Sequence, residues 1–298
     1  MRCNINQPSN LGSSETIREA PQLIQLNNYQ KLGNPDHIQF IDNHFLEWFI
    51  GFTEGDGSFE QSKRAFIINQ KDPKLLFRIK KKLGFGSVYE TSVSGIWRYS
   101  VTGTKNCLRL YYLFNQNLAL TKTLHKFQNW SSQLNPEMPV QRTPVNITLK
   151  NGWLAGFIEA EGGFYARVRK NSRMKLGLQF QKKFYLTQKG EHQVLNSILC
   201  LLESKAQVYK FKQKNEIYNR IDICSLYSHD ILLNYLNNYS LFGNKNISIC
   251  VWRKMHGRQI RSEHLTDKGL KKLINLCILL KKNNQKLEVE DIVHTDSL

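Results

Sequence analysis

The sequence lacks long hydrophobic runs and closely spaced cysteines. The apolar run near its end, residues 276–280, is far shorter than the roughly 20 residues that a membrane-spanning helix needs. The six cysteines lie far apart, so their spacing predicts neither a zinc site nor a disulfide framework. Free thiols in a reducing compartment are expected instead. The first residues also lack the apolar core of a signal peptide. The sequence therefore predicts a protein that does not span a membrane.

Acidic residues are scarce as well. The chain has 24 Asp and Glu against 42 Lys and Arg, which gives a formal net charge of +18 over 298 residues. Its 41% hydrophobic content, with 16 Phe and 12 Tyr, is enough to fill a folded core. A basic folded protein is expected to bind a polyanion, and nucleic acid fits best because a broad basic surface neutralises many phosphates. An anionic membrane surface is the alternative partner.

Composition and periodicity divide the chain into five parts. A leader rich in Asn, Gln, Ser and Pro is predicted to be mostly irregular, and a connector with three prolines separates two units of similar size. Helical spacing over about residues 266–282 predicts a helix after the second unit, followed by a loose tail. The predicted parts are a leader at 1–42, a first unit at 43–133, a linker at 134–147, a second unit at 148–260 and a C-terminal helix and tail at 261–298.

One short pattern occurs in both units. It reads FIGFTEGDGSF at residues 49–59 and LAGFIEAEGGF at residues 154–164. Each copy has helical spacing before its second acid and alternation after it, so Asp56 and Glu161 each end a helix and precede a strand. The two acids lie 105 residues apart, which is a domain-sized step. In both units the periodicity runs helix, strand pair, helix, strand pair, helix, and the duplication predicts one carboxylate from each unit at a shared place.

Small residues one turn apart predict that the two repeated helices pack closely. These residues are Gly51 and Gly55 in the first copy and Gly156 and Ala160 in the second. Two helices side by side bring both acids together at their C-terminal ends, where exposed carbonyls already carry negative partial charge. Such an oxygen-rich place suits Mg²⁺. An ordinary turn is the alternative for a single copy, and a calcium loop of the EF-hand type is rejected because the alternating acids are missing.

Basic and polar side chains alternate along the predicted strands, which suits readout of base edges and phosphates. A solvated basic surface is the alternative. The DNA-binding candidates of the first unit are Ser58, Ser62, Arg64, Arg98, Ser100 and Thr102. Those of the second unit are Tyr165, Arg167, Arg169, Gln179, Gln181, Lys210, Lys212, Lys214 and Arg220. A slip of one residue in register would exchange the two faces of a strand.

Two further pairs recur between the units. Gln70 in Asn-Gln-Lys matches Gln188 in Thr-Gln-Lys, and Lys122 ahead of a tryptophan matches Lys245 ahead of another. Plain surface positions are the alternative for each. A pair of carboxylates is what metal-assisted cleavage of a phosphodiester requires. The paired recurrence of these residues favours a place near the scissile phosphates, where a lysine balances developing negative charge.

These residues and spacings resemble the LAGLIDADG homing endonucleases, in the single-chain form with two motifs, over residues 43–260. The resemblance implies an α+β fold of two αββαββα units related by a pseudo-twofold axis. The motif helices would form the internal interface, and two antiparallel sheets would form a DNA-binding saddle. It also implies Asp56 and Glu161 as metal-binding acids, and Glu54 and Glu159 as structural acids. Gln70, Gln188, Lys122 and Lys245 would be peripheral catalytic residues.

The hypothesis is a monomeric, site-specific endonuclease that hydrolyses double-stranded DNA with Mg²⁺ at a long asymmetric site and leaves 3′ overhangs. Mn²⁺ is expected to substitute for Mg²⁺, and Ca²⁺ to bind without cleavage. An RNA maturase that assists splicing of its host intron is the alternative, and a DNA-binding regulator without catalysis is a third. Abundant Asn, Lys and Ile, together with the resemblance, predict an organelle-encoded protein of the mitochondrion, or else of the chloroplast.

Overall fold

The computed structural model describes residues 24–213 and 215–285, which contain ten α-helices and eight β-strands. The first part of the chain holds α1 Asn27–Leu32, α2 Asn43–Asp56, β1 Gly57–Glu60, β2 Ala65–Gln70, α3 Pro73–Leu83, β3 Ser87–Glu90, β4 Trp97–Val101, α4 Thr104–Phe114 and α5 Thr121–Ser131. The second part holds α6 Trp153–Glu161, β5 Gly162–Lys170, β6 Leu178–Gln188, α7 His192–Leu201, β7 Tyr209–Gln213, β8 Glu216–Ile223, α8 Leu226–Asn238, α9 Lys245–Ile260 and α10 Asp267–Gln285.

The strands form two four-stranded antiparallel sheets with the same connectivity. The first has the order β1-β2-β4-β3 and the second the order β5-β6-β8-β7. This confirms the predicted α+β fold of two duplicated units, and each unit adds a second helix after its last strand. The hairpin of β5 and β6 is the longer one, with nine cross-strand pairs against four between β1 and β2.

The motif helices α2 and α6 pack against each other between the two units. Nine of the 14 residues of α2 and seven of the nine residues of α6 are buried, because one side of each helix meets its partner helix and the other side meets its own sheet. The Asp42 side chain starts α2 by accepting a hydrogen bond from His44 N at 3.1 Å. Phe59 and Phe164, each three residues after a motif acid, are both buried in the core.

The described part of the predicted leader, residues 24–42, holds the short helix α1 and is otherwise irregular. From residue 24 onward the chain packs on the first unit, with α1 against α4 and with Leu26 and Tyr29 buried. The Asn117 side chain fixes this segment by accepting from Gln25 N at 2.7 Å and donating to Gln25 O at 3.0 Å. Residues 1–23 lie outside the described residues. The predicted C-terminal helix is confirmed as α10, which packs on α9 and β5.

No helix in residues 24–213 and 215–285 has the length and hydropathy that crossing a membrane requires.

A buried cluster of titratable groups joins the second sheet to α8 and α9. Lys182, which is 5% exposed, has its Nζ 2.6 Å from His229 Nδ1 and 2.8 Å from His256 Nδ1, and 4.2 Å from the centroid of the Trp252 ring. His256 Nε2 lies 2.6 Å from an oxygen of the half-exposed Asp230. Burial lowers the pKa of Lys182 to about 7 and that of His229 to about 3, and the Lys182 charge adds to the shift of His229.

We expect the protein to lose stability as pH falls through the range below 6.5. The unfolded chain binds a proton at His229 near its ordinary pKa of 6.5, whereas the folded chain resists this proton down to a pKa of about 3. Between pH 6.5 and pH 4.5 the loss is about 2–3 kcal/mol for this single group. Lys182, Asp230 and the Cys224 thiol, whose charges act within the same cluster, and His256 modulate the loss. Urea unfolding across this pH range measures it.

The matched variants are His229→Gln and His125→Gln. A glutamine at 229 retains a donor for Ile223 O, which lies 2.9 Å from His229 Nε2, and removes the titration, so its stability should vary less with pH. His125 is exposed on α5 and its replacement should leave the pH dependence as it is. Equal pH dependence in the wild-type and His229→Gln proteins would contradict the assignment.

Candidate active site

The two motif helices approach closely because glycines stand where they cross. A Cβ built on Gly51 would lie 1.9 Å from Trp153 O, and one on Gly156 would lie 1.8 Å from Trp48 O. Further along, a Cβ on Gly55 would lie 2.3 Å from the Ala160 Cβ. The predicted close packing of small residues is therefore present at all four positions.

This packing brings the ends of both helices to one place. Asp56 is the last residue of α2 and Glu161 is the last residue of α6, and each is followed directly by a strand. The Glu161 side chain lies over Gly55, where an added Cβ would be 3.0 Å from Glu161 Cγ and 3.5 Å from its Oε1. The two predicted metal-binding acids are thus neighbours, as the repeat predicts.

The surroundings of this pair disfavour two negative charges. Burial raises the pKa of Asp56 to about 6, against the opposing effect of the Lys245 charge and the Gln70 hydrogen bond. Burial also raises the pKa of Glu161 to about 7, and the Asp56 charge adds to this shift. Desolvation and the negative ends of two helices both disfavour a charged carboxylate, although the Lys245 charge opposes this. A bound cation would offset the negative charge of the pair.

The donors fit a hard divalent cation. Within the described ranges, no cluster of three or more His, Cys, Asp or Glu side chains is suited to holding a metal ion. Asp56 and Glu161 would supply the protein's carboxylate ligands. Mg²⁺ is commonly held by one or two carboxylates together with water and substrate phosphates, so the two acids match its requirements.

A glutamine at the end of a strand orients each acid. Gln70 Nε2, at the end of β2, donates to Asp56 Oδ2 at 2.7 Å, and Gln188 Nε2, at the end of β6, donates to Glu161 Oε1 at 2.8 Å. Although the two glutamines lie at different distances along the chain from their acids, strand pairing brings them to equivalent positions. The structure therefore places both predicted glutamines at the site.

The two predicted lysines also reach the site, by different contacts. Lys122 Nζ, from the first turn of α5, donates to Gln188 Oε1 and so reaches the acid of the other unit through that amide. Lys245 Nζ, at the start of α9, donates to Ala160 O at 3.0 Å and to Ile158 O at 3.3 Å. The Lys245 charge thus lies at the carbonyl end of α6 and lowers the pKa of both acids, against the effect of burial.

The first acid of each motif fixes the segment that carries a lysine. Glu54 is 2% exposed and accepts from Ala119 N at 2.8 Å, Leu120 N at 2.7 Å and the Trp153 indole at 2.7 Å. Lys122 follows these backbone groups directly. Burial raises the pKa of Glu54 to about 8.

Glu159 repeats this arrangement in the second unit. It accepts from Phe242 N and Gly243 N, both at 2.9 Å, just before Lys245. These contacts support the structural role that the resemblance implies for both acids.

Most of the predicted DNA-binding residues of the second unit share one face of its sheet. Cross-strand pairing aligns Tyr165 with Lys183, Arg167 with Gln181 and Arg169 with Gln179, all on the side away from the buried core. Sequence reasoning missed Lys183 and Tyr185 on this face. Their signal was the same alternation, because it continues past Gln181 to positions 183 and 185.

Two lysines of β7 were assigned to the wrong face. Tyr209 pairs with Arg220, so Lys210 and Lys212 lie on the opposite side of the sheet from Arg220. The Arg220 guanidinium lies 5.1 Å from the Phe211 ring centroid, which places that aromatic side chain on the outer face instead. Lys214 lies outside the described residues.

The first unit offers a sparser outer face. Ser58 and Ser100 lie on it through their shared partner Ile67, and Arg98 lies on it beside Asn69, to which its Nε donates at 2.9 Å. The remaining predicted residues border this face. Ser62 and Arg64 lie in the turn between β1 and β2, and Thr102 follows β4; all three are exposed.

With this geometry in place, sequence comparison gives the family. A family model described as LAGLIDADG endonuclease matches residues 154–256, the part that contains the second motif and its sheet. The chain belongs to the LAGLIDADG endonuclease family. The first unit repeats the same motif and sheet connectivity, so the chain has the two-motif form of this family.

Relatives of this LAGLIDADG chain bear names of two kinds. It is 31% identical over 254 residues to probable intron-encoded endonuclease 4 of Neurospora crassa, covering 82% of this chain and 44% of the relative. It is also 25% identical over 183 residues to intron-encoded RNA maturase bI4 of Saccharomyces cerevisiae, covering 59% of this chain and 28% of the relative. The chain thus spans less than half the length of these two relatives.

Solved structures of LAGLIDADG proteins share the fold. The homing endonuclease I-SmaMI bound to cleaved DNA superimposes with a TM-score of 0.62 at 17% identity, over 80% of this chain and 97% of that one. I-SmaMI bound to an uncleaved DNA target in the presence of calcium ions gives a TM-score of 0.58 at 19% identity, over 78% and 97%. At these identities the likeness concerns the fold.

Proposed function

We propose that the protein is a homing endonuclease, a site-specific enzyme that hydrolyses both strands of a long asymmetric DNA target. The observation that carries this proposal is the pair Asp56 and Glu161, brought together from two units at the base of two sheets whose outer faces carry polar and basic side chains. A DNA duplex lying across both sheets would present its two scissile phosphates to this pair.

The second sheet supports DNA as the substrate. Its strands carry eight basic residues, and those on the outer face alternate with amide and aromatic side chains. Basic groups neutralise phosphates, and amides read base edges in the major groove. The first sheet contributes hydroxyl and amide groups with Arg98.

The residues of the centre have distinct roles in phosphodiester hydrolysis, in which a water adds to phosphorus and one ester oxygen leaves. Asp56 and Glu161 would hold Mg²⁺, which, when bound, supplies Lewis-acid stabilisation of the charge that develops on the phosphate. Gln70 and Gln188 each hold one carboxylate oxygen in place and leave the other available. Lys245 offsets the negative charge at the end of α6.

Lys122 has a positioning role in this proposal. Its ammonium group donates a hydrogen bond to Gln188 Oε1, and Gln188 Nε2 donates one to Glu161 Oε1. A lysine of the first unit therefore orients the acid of the second unit. Burial lowers the pKa of Lys122, and the charges of Glu161 and Glu191 oppose that shift. The centre is therefore assembled from both units.

Selection from randomised DNA tests this proposal. The protein is incubated with a library of duplexes and Mg²⁺, and cut molecules are recovered and sequenced. We expect one long asymmetric sequence to be enriched, with staggered cuts that leave 3′ overhangs. Mn²⁺ should support the same cuts, and with Ca²⁺ the enriched duplex should bind without being cut. Enrichment of no sequence, or cutting that ignores sequence, would refute a homing endonuclease.

RNA maturase activity is the second candidate, favoured by the name of the relative bI4. A protein that acts only as a maturase would bind intron RNA tightly and would cut no DNA in the presence of metal. The retained acid pair favours cleavage, because two carboxylates repel the phosphates that a pure RNA binder must attract. We further propose that the protein acts as a monomer and is encoded in a mitochondrial intron, in line with the intron-encoded relatives.

A further inference from the structure

The basic residues of the first unit are concentrated on a helix and are nearly absent from its sheet. The four strands of the first sheet carry a single base, Arg98, and two acids, whereas the strands of the second sheet carry eight bases. Helix α3 alone carries five bases and no acid. Binding of DNA to the outer face of the first sheet therefore does not explain the positive charge on α3.

Helix α3 presents these bases on one exposed side. Leu76, Ile79 and Leu83 are buried against β2, β3 and β4, on the side of the sheet opposite to Arg98 and Ser100. We name the exposed side the α3 basic face. It consists of Lys74, Phe77, Arg78, Lys81 and Lys82, with Lys80 at its edge. A DNA duplex on the outer faces of the sheets would leave it open.

Among the described residues, no salt bridge involves a lysine of the α3 basic face. Arg78, in contrast, has a structural contact. Its Nη1 donates to Phe242 O at 2.5 Å and its guanidinium lies 5.2 Å from the centroid of the Phe242 ring, so it joins α3 to the second unit. Lys74, Lys81 and Lys82 remain as cations on one rigid helix, with Lys74 two turns before Lys81 on the same side.

An aromatic ring stands among these cations. Phe77 is 47% exposed, and its ring is supported by Trp97 at a centroid distance of 6.0 Å. An exposed ring between lysines offers stacking to an unpaired base, which a regular DNA duplex does not present. A lipid surface fits less well, because Phe77 is the sole apolar group on the described exposed side of α3.

We propose that the α3 basic face binds structured RNA, with its lysines on backbone phosphates and Phe77 on an unpaired loop base. This partner is additional to the DNA target and lies on the other side of the first sheet. RNA binding here does not use Asp56 or Glu161, so the Asp56→Asn protein should bind RNA as the wild-type protein does. A failure of the cleavage proposal would therefore leave the RNA proposal intact, and a failure of the RNA proposal would leave the cleavage proposal intact.

The test uses a labelled RNA hairpin with an unpaired loop, added to protein already saturated with an unlabelled 30-base-pair DNA duplex so that the sheets are occupied. The variant is Lys74→Ser, Lys81→Ser, Lys82→Ser. The matched control is Lys271→Ser, Lys272→Ser, Lys282→Ser on the exposed side of α10. Filter binding at several salt concentrations gives the affinity and its salt dependence, and thermal melting verifies that both variants are folded.

We expect the α3 variant to bind the RNA hairpin at least about tenfold more weakly, with a slope of log K against log salt reduced by about 2. The DNA affinity of the α3 variant and the RNA affinity of the α10 control should each change by less than about twofold. Phe77→Ala should weaken hairpin binding about tenfold while leaving the salt slope and the binding of blunt RNA duplex unchanged.

Three results would overturn the proposal. These are RNA binding by the α3 variant that equals the wild type, an equal loss of RNA binding in the α10 control, and a parallel loss of DNA binding in the α3 variant. Binding of phosphatidylserine vesicles that depends on α3 while hairpin binding does not would assign the face to a membrane instead.

Discussion

Double-strand cleavage should fall by at least about a thousandfold in Asp56→Asn and likewise in Glu161→Gln. Each substitution keeps the size and shape of the side chain and removes one charged oxygen ligand, which weakens a contribution of several kcal/mol to the transition state. Because the two carboxylates share one place, loss of either is expected to impair cutting of both strands. The measurement is the single-turnover rate on the selected duplex in Mg²⁺. The control is Asp36→Asn, which changes an exposed acid in the segment before the first unit.

The same variants should keep their fold and their affinity for DNA. Burial raises the pKa of both acids, and the Asp56 charge raises that of Glu161 further, so neutralising either one relieves repulsion in the metal-free protein. Thermal unfolding in EDTA should therefore occur at an equal or higher temperature than in the wild type. Undiminished cutting by either variant would remove the acid pair from the mechanism, whereas lost cutting in an unfolded variant would not count for it.

Gly156→Ala should destabilise the protein by about 3 kcal/mol or more. Its new Cβ would lie 1.8 Å from Trp48 O and 2.6 Å from Phe52 N, and these are backbone atoms of α2, which cannot turn aside as a flexible side chain does. The motif helices must therefore move apart, which opens the core and separates Asp56 from Glu161. Urea unfolding measures the loss.

Gly257→Ala is the matched control for that prediction. This glycine lies inside α9, and among the described residues a Cβ there would meet Arg261 Nη1 alone, at 3.4 Å. Alanine favours a helix over glycine by about 1 kcal/mol, so this variant should be as stable as the wild type or slightly more so. If both variants lost stability equally, helix propensity rather than the close crossing would explain the result.

The acid pair was readable in the sequence because its signals are local and repeated. Small residues one turn apart, a helix that ends at an acid and a strand that follows are all properties of short segments, and two copies identify them. The glutamine and lysine pairs were found in the same way. The roles of Glu54 and Glu159 were not readable from spacing, because their partners lie in distant segments that only the folded chain brings near.

The faces of β7 show where sequence patterns stop. Alternation in this strand tells that Lys210 and Lys212 share one side and that Tyr209 and Phe211 share the other. It does not tell which side faces the core, and at the edge of a sheet burial gives little help. The pairing of Tyr209 with Arg220 decides the question. The burial of Leu26 and Tyr29 could not be predicted either, because two isolated apolar residues show no helical or strand periodicity.

The unequal hairpins have a consequence for how the protein would sit on its substrate. Strand β5 has nine residues and β1 has four, so the second ribbon extends about 16 Å further at roughly 3.3 Å per residue. Along a duplex that is about five base pairs, at 3.4 Å per step. The cut would therefore be off-centre in the footprint, with the longer and more positively charged arm on one flank, and the recognition sequence would have an intrinsic left and right.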